Sequence, residues 1–363
     1  MLIVRGAIKD YDWGVVDGLA PWSGVTGGPQ AELWFGVHPG GPSPLLGEDW
    51  QPTGEHLGDK FDIEAIPLLV KLLAAAKPLS VQVHPNAEMA QAGYHAQREG
   101  APKIFSDPFE KTELLVALEP FEAFAGWRAA DAAIAMLEFL AAEAAADTAV
   151  AVEQLVSGDY PSALRSLLDA ANEEVVRRLP DAATHAGLPR EEIAAYALVA
   201  EMYPRDRGAL VTVLLNYVAL EIGEGVFVPA GVPHSYIRGL GLEVMTSSDN
   251  VIRLGLTPKP VFVEEALQAI DETLAPQVVR TVLGDIIWPV SSPFVVRLMR
   301  DGDERIPMGA YRIMVLIEGT ATVESEAAEV TLRPGTAAVL GADDPDAHIH
   351  VQGLVAIVQS TER

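Results

Sequence analysis

The chain has 363 residues, with 51 Asp and Glu against 25 Lys and Arg, and a formal net charge of −26. So acidic a surface repels nucleic acid and anionic membrane, so neither is expected as a partner, and any phosphorylated substrate needs cations gathered locally. There is no cysteine, which excludes disulfides and thiolate metal sites and leaves His, carboxylate and amide oxygen as the available metal ligands.

Hydrophobic residues make up 49% of a chain longer than the roughly 100–200 residues of one domain, so two or three packed units are expected. No apolar run approaches the roughly 18 residues needed to span a bilayer. Met1–Asp10 lacks the core and cleavage site of a signal peptide. A cytoplasmic protein is the plain expectation.

In chain order, residues 1 to about 45 mix short strands with turns at Gly27-Gly28-Pro29 and Gly40-Gly41-Pro42. Trp13, Trp34 and His38 stand out there, the tryptophans as core and the histidine as held by a backbone partner. Residues 64–85 read as two strands joined by Ala74–Pro78. Lys71 interrupts the first; it is either a solvated edge lysine or buried, and burial is costly unless it is paired or bound to an anion. In the second, Ser80, Gln82 and His84 alternate with Leu79, Val81 and Val83 and so share one face. Asn86 caps a short helix to Arg98 that carries a surface His95. Lys111-Thr112-Glu113 opens an apolar strand to Leu118, with Lys111 and Glu113 on one face.

Residues 128–205 change character. Ile134, Leu137 and Leu140, then Leu164, Leu167, Leu168 and Val175, fall at helical spacing, and Pro161, Pro180, Pro189 and Pro204 punctuate the segment. This is a helical insertion, with His185 exposed. Strand returns at Leu214–Glu221. The stretch Gly223–Lys259 then runs through an apolar strand, a break at Pro229-Ala230-Gly231, His234, and Glu243 on a second strand. It ends in the polar and cationic run Ser247, Ser248, Asp249, Asn250, Arg253, Thr257, Lys259. Phe262–Leu274 reads as an amphipathic helix and residues 290–363 as all-β. His348 and His350 lack a carboxylate or glutamine partner strand and read as surface residues.

Gln82, His84, Glu113 and His234 together offer two imidazoles, one carboxylate and one amide oxygen, a set suited to Zn²⁺ with room for water or substrate. The motifs LSVQVHP, KTE and PAGVPH…GLE…SDN…R…LTPK, with Tyr11–Gly14 and Ala31–Pro39, resemble the type I mannose-6-phosphate isomerases, zinc enzymes of the cupin superfamily. The resemblance covers roughly the first third of the chain and Leu214–Lys259.

The resemblance implies a mainly β fold of two tandem cupin (jelly-roll) barrels plus an α-helical domain. Its catalytic barrel would comprise residues 1–127 and 206–262, its insertion 128–205, and its metal-free C-terminal barrel 263–363. It implies one Zn²⁺ per chain on Gln82, His84, Glu113 and His234, a catalytic Arg253, and Glu243 and Lys111 facing the reacting carbons. Ser80, Lys71 and Lys259 fall where sugar and phosphate are held, and Glu32 and Trp13 border the site. The implied reaction interconverts mannose 6-phosphate and fructose 6-phosphate through an enediol.

Glu243, Lys111 and a water on the metal are all chemically able to abstract the proton; Glu243 is preferred here. For Arg253 the competing role is a structural ion pair with Asp249 or Glu243. An Fe²⁺ cupin oxygenase and a non-catalytic sugar-phosphate-binding cupin are the alternative functions. With no heptad repeat or apolar interface patch evident, oligomeric state stays open, a monomer included.

Overall fold

The computed structural model describes residues 1–63, 66–98, 100, 102–280, 284–326 and 328–361. Positions 64 and 65, at the start of the expected 64–85 strand pair, lie outside the described residues, as do 327, 362 and 363 of the expected C-terminal β region. The rest is built on two large sheets of eleven and nine strands with antiparallel pairings; neither is closed on itself among the described residues.

The strand His234–Thr246 is the hub of the eleven-stranded sheet. It pairs with Leu68–Ala75, Glu113–Ala117, Phe121–Trp127 and, at its first residue, with Gln82 of Val81–Val83. Leu68–Ala75 is buried at every position, which explains its near-continuous apolar sequence. Lys71 sits in its middle, opposite Glu243 in register.

The hub strand is not regular. Glu122 faces Arg238 and Ala123 faces Tyr236, so Ile237 is an extra residue on one side. Such a bulge reverses which face later residues present. His234 and Tyr236 before it, and Glu243 after it, therefore share the site side of the strand, although nine positions separate the two ends.

The first strand of the chain belongs to the nine-stranded sheet: Leu2–Arg5 pairs with Thr336–Leu340. One apolar core spans both sheets, with Phe35, Val70 and Leu242 against Phe294, Ile313 and Val339. Burying each such side chain contributes about 1.5–3 kcal/mol. The two sheets thus share one apolar interior.

Helices Ala130–Ala144, Ala149–Ser157, Tyr160–Ala170, Glu173–Arg177, Leu179–His185 and Arg190–Met202 make up the insertion. Asp159 and Asn172 cap two of them through Ser162 N and Val175 N. Their core continues into Val81, Val83 and Leu254, so the insertion packs on the back of the strands that carry the site. His185, like His95, His348 and His350, is exposed. The helix expected over Phe262–Leu274 is shorter, Val263–Ala269. Asp271 ends it by accepting the Thr273 N–H in a turn while its own N–H donates to Gly231 O.

Candidate metal centre

His84, Glu113 and His234 meet in the interior, all three fully buried, with one ligand atom from each within 4.8 Å of the others. His84 Nε2 lies 3.2 Å from Glu113 Oε2, and His234 Nε2 lies 3.0 Å from Glu113 Oε1. Each imidazole is oriented by its other nitrogen. His84 Nδ1 is 2.8 Å from the Asn250 carbonyl and His234 Nδ1 is 3.0 Å from the Val232 carbonyl. A carbonyl only accepts, so the protons reside on Nδ1 and both Nε2 lone pairs turn inward, the tautomer a metal takes.

The Pro229-Ala230-Gly231 break ties the two histidines together. Gly231 N–H donates to His84 O at 2.9 Å. At φ +95° a side chain is strained, and a Cβ there would stand 3.0 Å from Asp271 Cβ. Asn250 holds the other side: it accepts from Ser106 N and donates to Asp107 O and Phe109 O, which fixes the carbonyl that orients His84.

Lys111 Nζ touches both His84 Nε2, at 3.0 Å, and Glu113 Oε2. The ammonium is a cation held on the lone pairs that a metal ion would use. The donor set of two neutral imidazoles and one carboxylate therefore fits a divalent cation of the Zn²⁺ type. Burial, reinforced by the Lys111 charge, pushes His84 down to about 3, keeping it neutral. Burial alone would raise Glu113, but the Lys111 ammonium beside it brings it well below the usual carboxylate range.

Gln82 meets the centre from the neighbouring strand. Its Nε2 is 3.2 Å from His234 Nε2, and its Oε1 accepts from Ser80 Oγ at 3.2 Å. The shared face expected for Ser80, Gln82 and His84 is therefore present. A half-turn of the amide exchanges its ends, so the side chain can turn its oxygen toward a cation.

A second buried group adjoins the first. Lys71 Nζ lies 2.7 Å from Glu243 Oε2 and 3.2 Å from Glu32 Oε1, and Trp34 Nε1 donates to Glu32 Oε2. Lys71 is thus buried and paired. Tyr236 Oη links the groups by donating to Glu113 Oε1 at 2.9 Å, and its phenol is held well above the ordinary range by burial and by Glu113 and Glu243. Tyr236 and Asn250 carry functions the sequence reading did not assign. The signal for Tyr236 was its place two residues past His234 on the same strand face.

Arg253 lies on the strand Ile252–Gly255, opposite Gln82 in register. It pairs with neither Asp249 nor Glu243; among the described residues its Nη1 reaches the Val251 carbonyl, at 3.5 Å. Lys259 is exposed, with Nζ 5.8 Å from the centroid of the Tyr11 ring, which stacks on Trp13. Trp13 is half-buried, while Trp34 and His38 are buried. His38 Nδ1 accepts from Gly40 N, the backbone partner expected, and Nε2 lies 3.4 Å from Asp249.

Fold and site together define a mostly β protein with some helices, built around a buried cation centre of two histidines and a glutamate. The model of the phosphomannose isomerase type I catalytic domain matches residues 1–130. Mannose-6-phosphate isomerase of Escherichia coli (strain K12) is 30% identical over 97% of this chain and 97% of its own. The Homo sapiens mannose-6-phosphate isomerase is 32% identical over 68% of this chain and 64% of its own. Among solved structures, a variant of phosphomannose isomerase from Salmonella typhimurium superposes with a TM-score of 0.82 at 28% identity, over 99% of both chains. A mannose 6-phosphate isomerase bound with zinc and yttrium gives 0.79 at 27% identity, also over 99% of both. The chain belongs to the type I phosphomannose isomerase family.

Proposed function

We propose that the chain interconverts D-mannose 6-phosphate and D-fructose 6-phosphate, an aldose–ketose isomerisation. The observation that carries this reading is the His84–Glu113–His234 centre, with Lys71 and Glu243 paired beside it, in a member of this family. Neither the iron-oxygenase nor the binding-only reading is favoured.

Gln82, His84, Glu113 and His234 would hold one Zn²⁺, whose positive charge stabilises oxyanion character developing on the sugar during proton transfer. With a single carboxylate among the four, that charge is only partly neutralised. Glu243 is the proposed base: it is buried, raised by that burial and positioned by Lys71. Arg253, half-buried and with no carboxylate partner among the described residues, offers a guanidinium to the enediolate. Lys111 faces the reacting carbons from the metal side.

Ser80 and Lys259 are the proposed sugar and phosphate contacts. Lys71 was expected to join them, but its two carboxylates supply its counter-charge. Its proposed role is therefore to hold Glu243 rather than phosphate. Residues 1–127 with 206–262 as a catalytic cupin barrel, 128–205 as an insertion and 263–363 as a metal-free second barrel remain the proposed division. The N-terminal strand shared with the last sheet joins the two β units.

The test is conversion of mannose 6-phosphate before and after chelation, with Zn²⁺ added back. Activity lost to chelator and restored by zinc is the expected result. No conversion by zinc-loaded protein would overturn the proposal.

A further inference from the structure

The chain leaves the helical insertion through a short segment, Tyr203–Gly208, directly after the helix Arg190–Met202. It crosses one end of the strand pair that carries Gln82 and Arg253. In that antiparallel pair Val83 lies opposite Ile252, and Val81 opposite Gly255. The loop entering the first strand, 77–80, and the loop leaving the second, 256–259, therefore lie at the same end. These two loops carry Ser80 and Lys259, the proposed sugar and phosphate contacts.

The segment bonds to both loops. Tyr203 Oη donates to the Pro78 carbonyl at 2.8 Å, two residues before Ser80. Asp206 Oδ2 accepts from Thr257 N at 3.0 Å, two residues before Lys259. That second tie continues, since Thr257 Oγ1 accepts from Lys259 N at 3.1 Å. Within the segment Asp206 N donates to Tyr203 O at 3.1 Å, and Asp206 Oδ1 accepts from Gly208 N at 2.8 Å. The two side chains are thus fixed on one turn. Burial pushes the Tyr203 phenol up to about 12, which keeps it a donor at neutral pH.

The backbone of the second loop is strained where the segment holds it. Leu256 is buried at φ +54°, a left-handed conformation that leucine seldom enters. On one side of it Gly255 packs on Gly208 too closely for a Cβ on either, and on the other Thr257 is tied to Asp206. A residue stays in such a conformation only where its surroundings over-determine it, and such positions gather at ligand clamps.

We propose that Tyr203 and Asp206 are positioning residues for the substrate's phosphate, the segment clamping the Ser80 and Lys259 loops at a fixed separation. The proposal rests on the reading of Ser80 and Lys259 as sugar and phosphate contacts. It gives the helical insertion a part in substrate binding, because the clamp is anchored there. Tyr203 N donates to Val199 O at 2.9 Å, and Arg205 Nε to Glu173 Oε2 at 2.7 Å. Loops held in place before the substrate arrives lower the ordering cost of binding. Losing the clamp therefore weakens binding rather than slowing the chemistry.

The experiment is steady-state kinetics on the zinc-loaded full chain, with inorganic phosphate as a competitive probe of the phosphate pocket. Tyr203→Phe and Asp206→Ala should each raise KM for mannose 6-phosphate and the inhibition constant of phosphate in parallel. The expected rise is about three- to tenfold, the effect of one hydrogen bond, with kcat within about twofold. Lys259→Ala should raise both constants at least as far. Unfolding midpoints are read alongside, because Asp206 also caps the turn that follows it, whereas Tyr203→Phe keeps its ring. Constants unmoved in both clamp variants but raised in Lys259→Ala would overturn the clamp and leave the phosphate contact standing. A loss confined to kcat would also overturn it, assigning the segment's effect to Arg253. Constants unmoved in Lys259→Ala would remove the phosphate contact, and the clamp with it.

Discussion

Lys71 Nζ stands 2.7 Å from Glu243 Oε2 inside the sheet, a charge pair buried on both sides. Burial raises Glu243 above the usual carboxylate range; Lys71 opposes the shift and Glu113 adds to it. A base acts when deprotonated, so the acid limb of kcat/KM should lie above the ordinary value of about 4.3. Lys71→Met removes the opposing charge and should move that limb further up. Glu243→Gln should lower turnover at least about a hundredfold. A limb unmoved by Lys71→Met, or near-normal turnover in Glu243→Gln, would remove Glu243 from the role of base.

Tyr236 acts on the centre through Glu113. Its hydroxyl fixes Oε1 of the carboxylate at 2.9 Å. Tyr236→Phe keeps the ring and its edge contact with Phe121 but frees the carboxylate. Zinc affinity, read by competition with a chromophoric chelator, should fall by about 10- to 100-fold. Unchanged affinity would mean that Glu113 is positioned by its own strand alone.

His84 links acidity to stability. In the folded chain burial and Lys111 push its pKa down to about 3, whereas the unfolded chain takes the proton near about 6.5. Between those values the unfolded state binds more protons, so this contribution is complete above about 6.5 and is lost as pH falls. The slope is up to about 1.4 kcal/mol per pH unit. Urea midpoints of chelator-treated protein from pH 7 to 5 should show it, and His84→Gln should flatten that part of the slope. Parallel slopes for the two proteins would contradict a neutral buried His84.

The segment just after the helical insertion packs against the strand that carries Arg253 through two glycines, Gly208 and Gly255. A Cβ on Gly208 would lie 2.3 Å from Gly255 Cα and 2.7 Å from Leu254 O, on the strand that carries Arg253. Gly208→Ala must push that strand away. It should destabilise the fold by about 1–3 kcal/mol, as overpacking does, and lower kcat by displacing Arg253. Thermal unfolding and steady-state kinetics together check this, since a stability loss with kcat intact would separate the contact from the site.

Much of the site was legible because its donors sit on short regular pieces. Ser80, Gln82 and His84 are three alternate positions of one strand, and alternation is a local property of extended backbone. Glu243 is a different case. It lies nine residues after His234, which on a regular strand puts the two on opposite faces; only the bulge at Ile237 returns Glu243 to the His234 side. Nothing local in Ile237 announces an extra residue, since the mismatch arises against Glu122 and Ala123 of another strand. Asn250 was legible as polar but not as a support for His84, because its partners Ser106, Asp107 and Phe109 are distant in sequence.

The sequence by itself determined the ligand types, the absence of thiols, the helical character of 128–205 and the tight turn before His234, all of which follow from residue chemistry and short-range backbone preference. Tertiary structure alone decided the rest. It set Lys71 between Glu32 and Glu243, placed Arg253 opposite Gln82, and joined the first strand to Thr336–Leu340. Those choices depend on strand register and on which charges share a buried volume. They emerge only when distant segments are brought within a few ångströms, where an unpaired buried charge is too costly to leave without a partner.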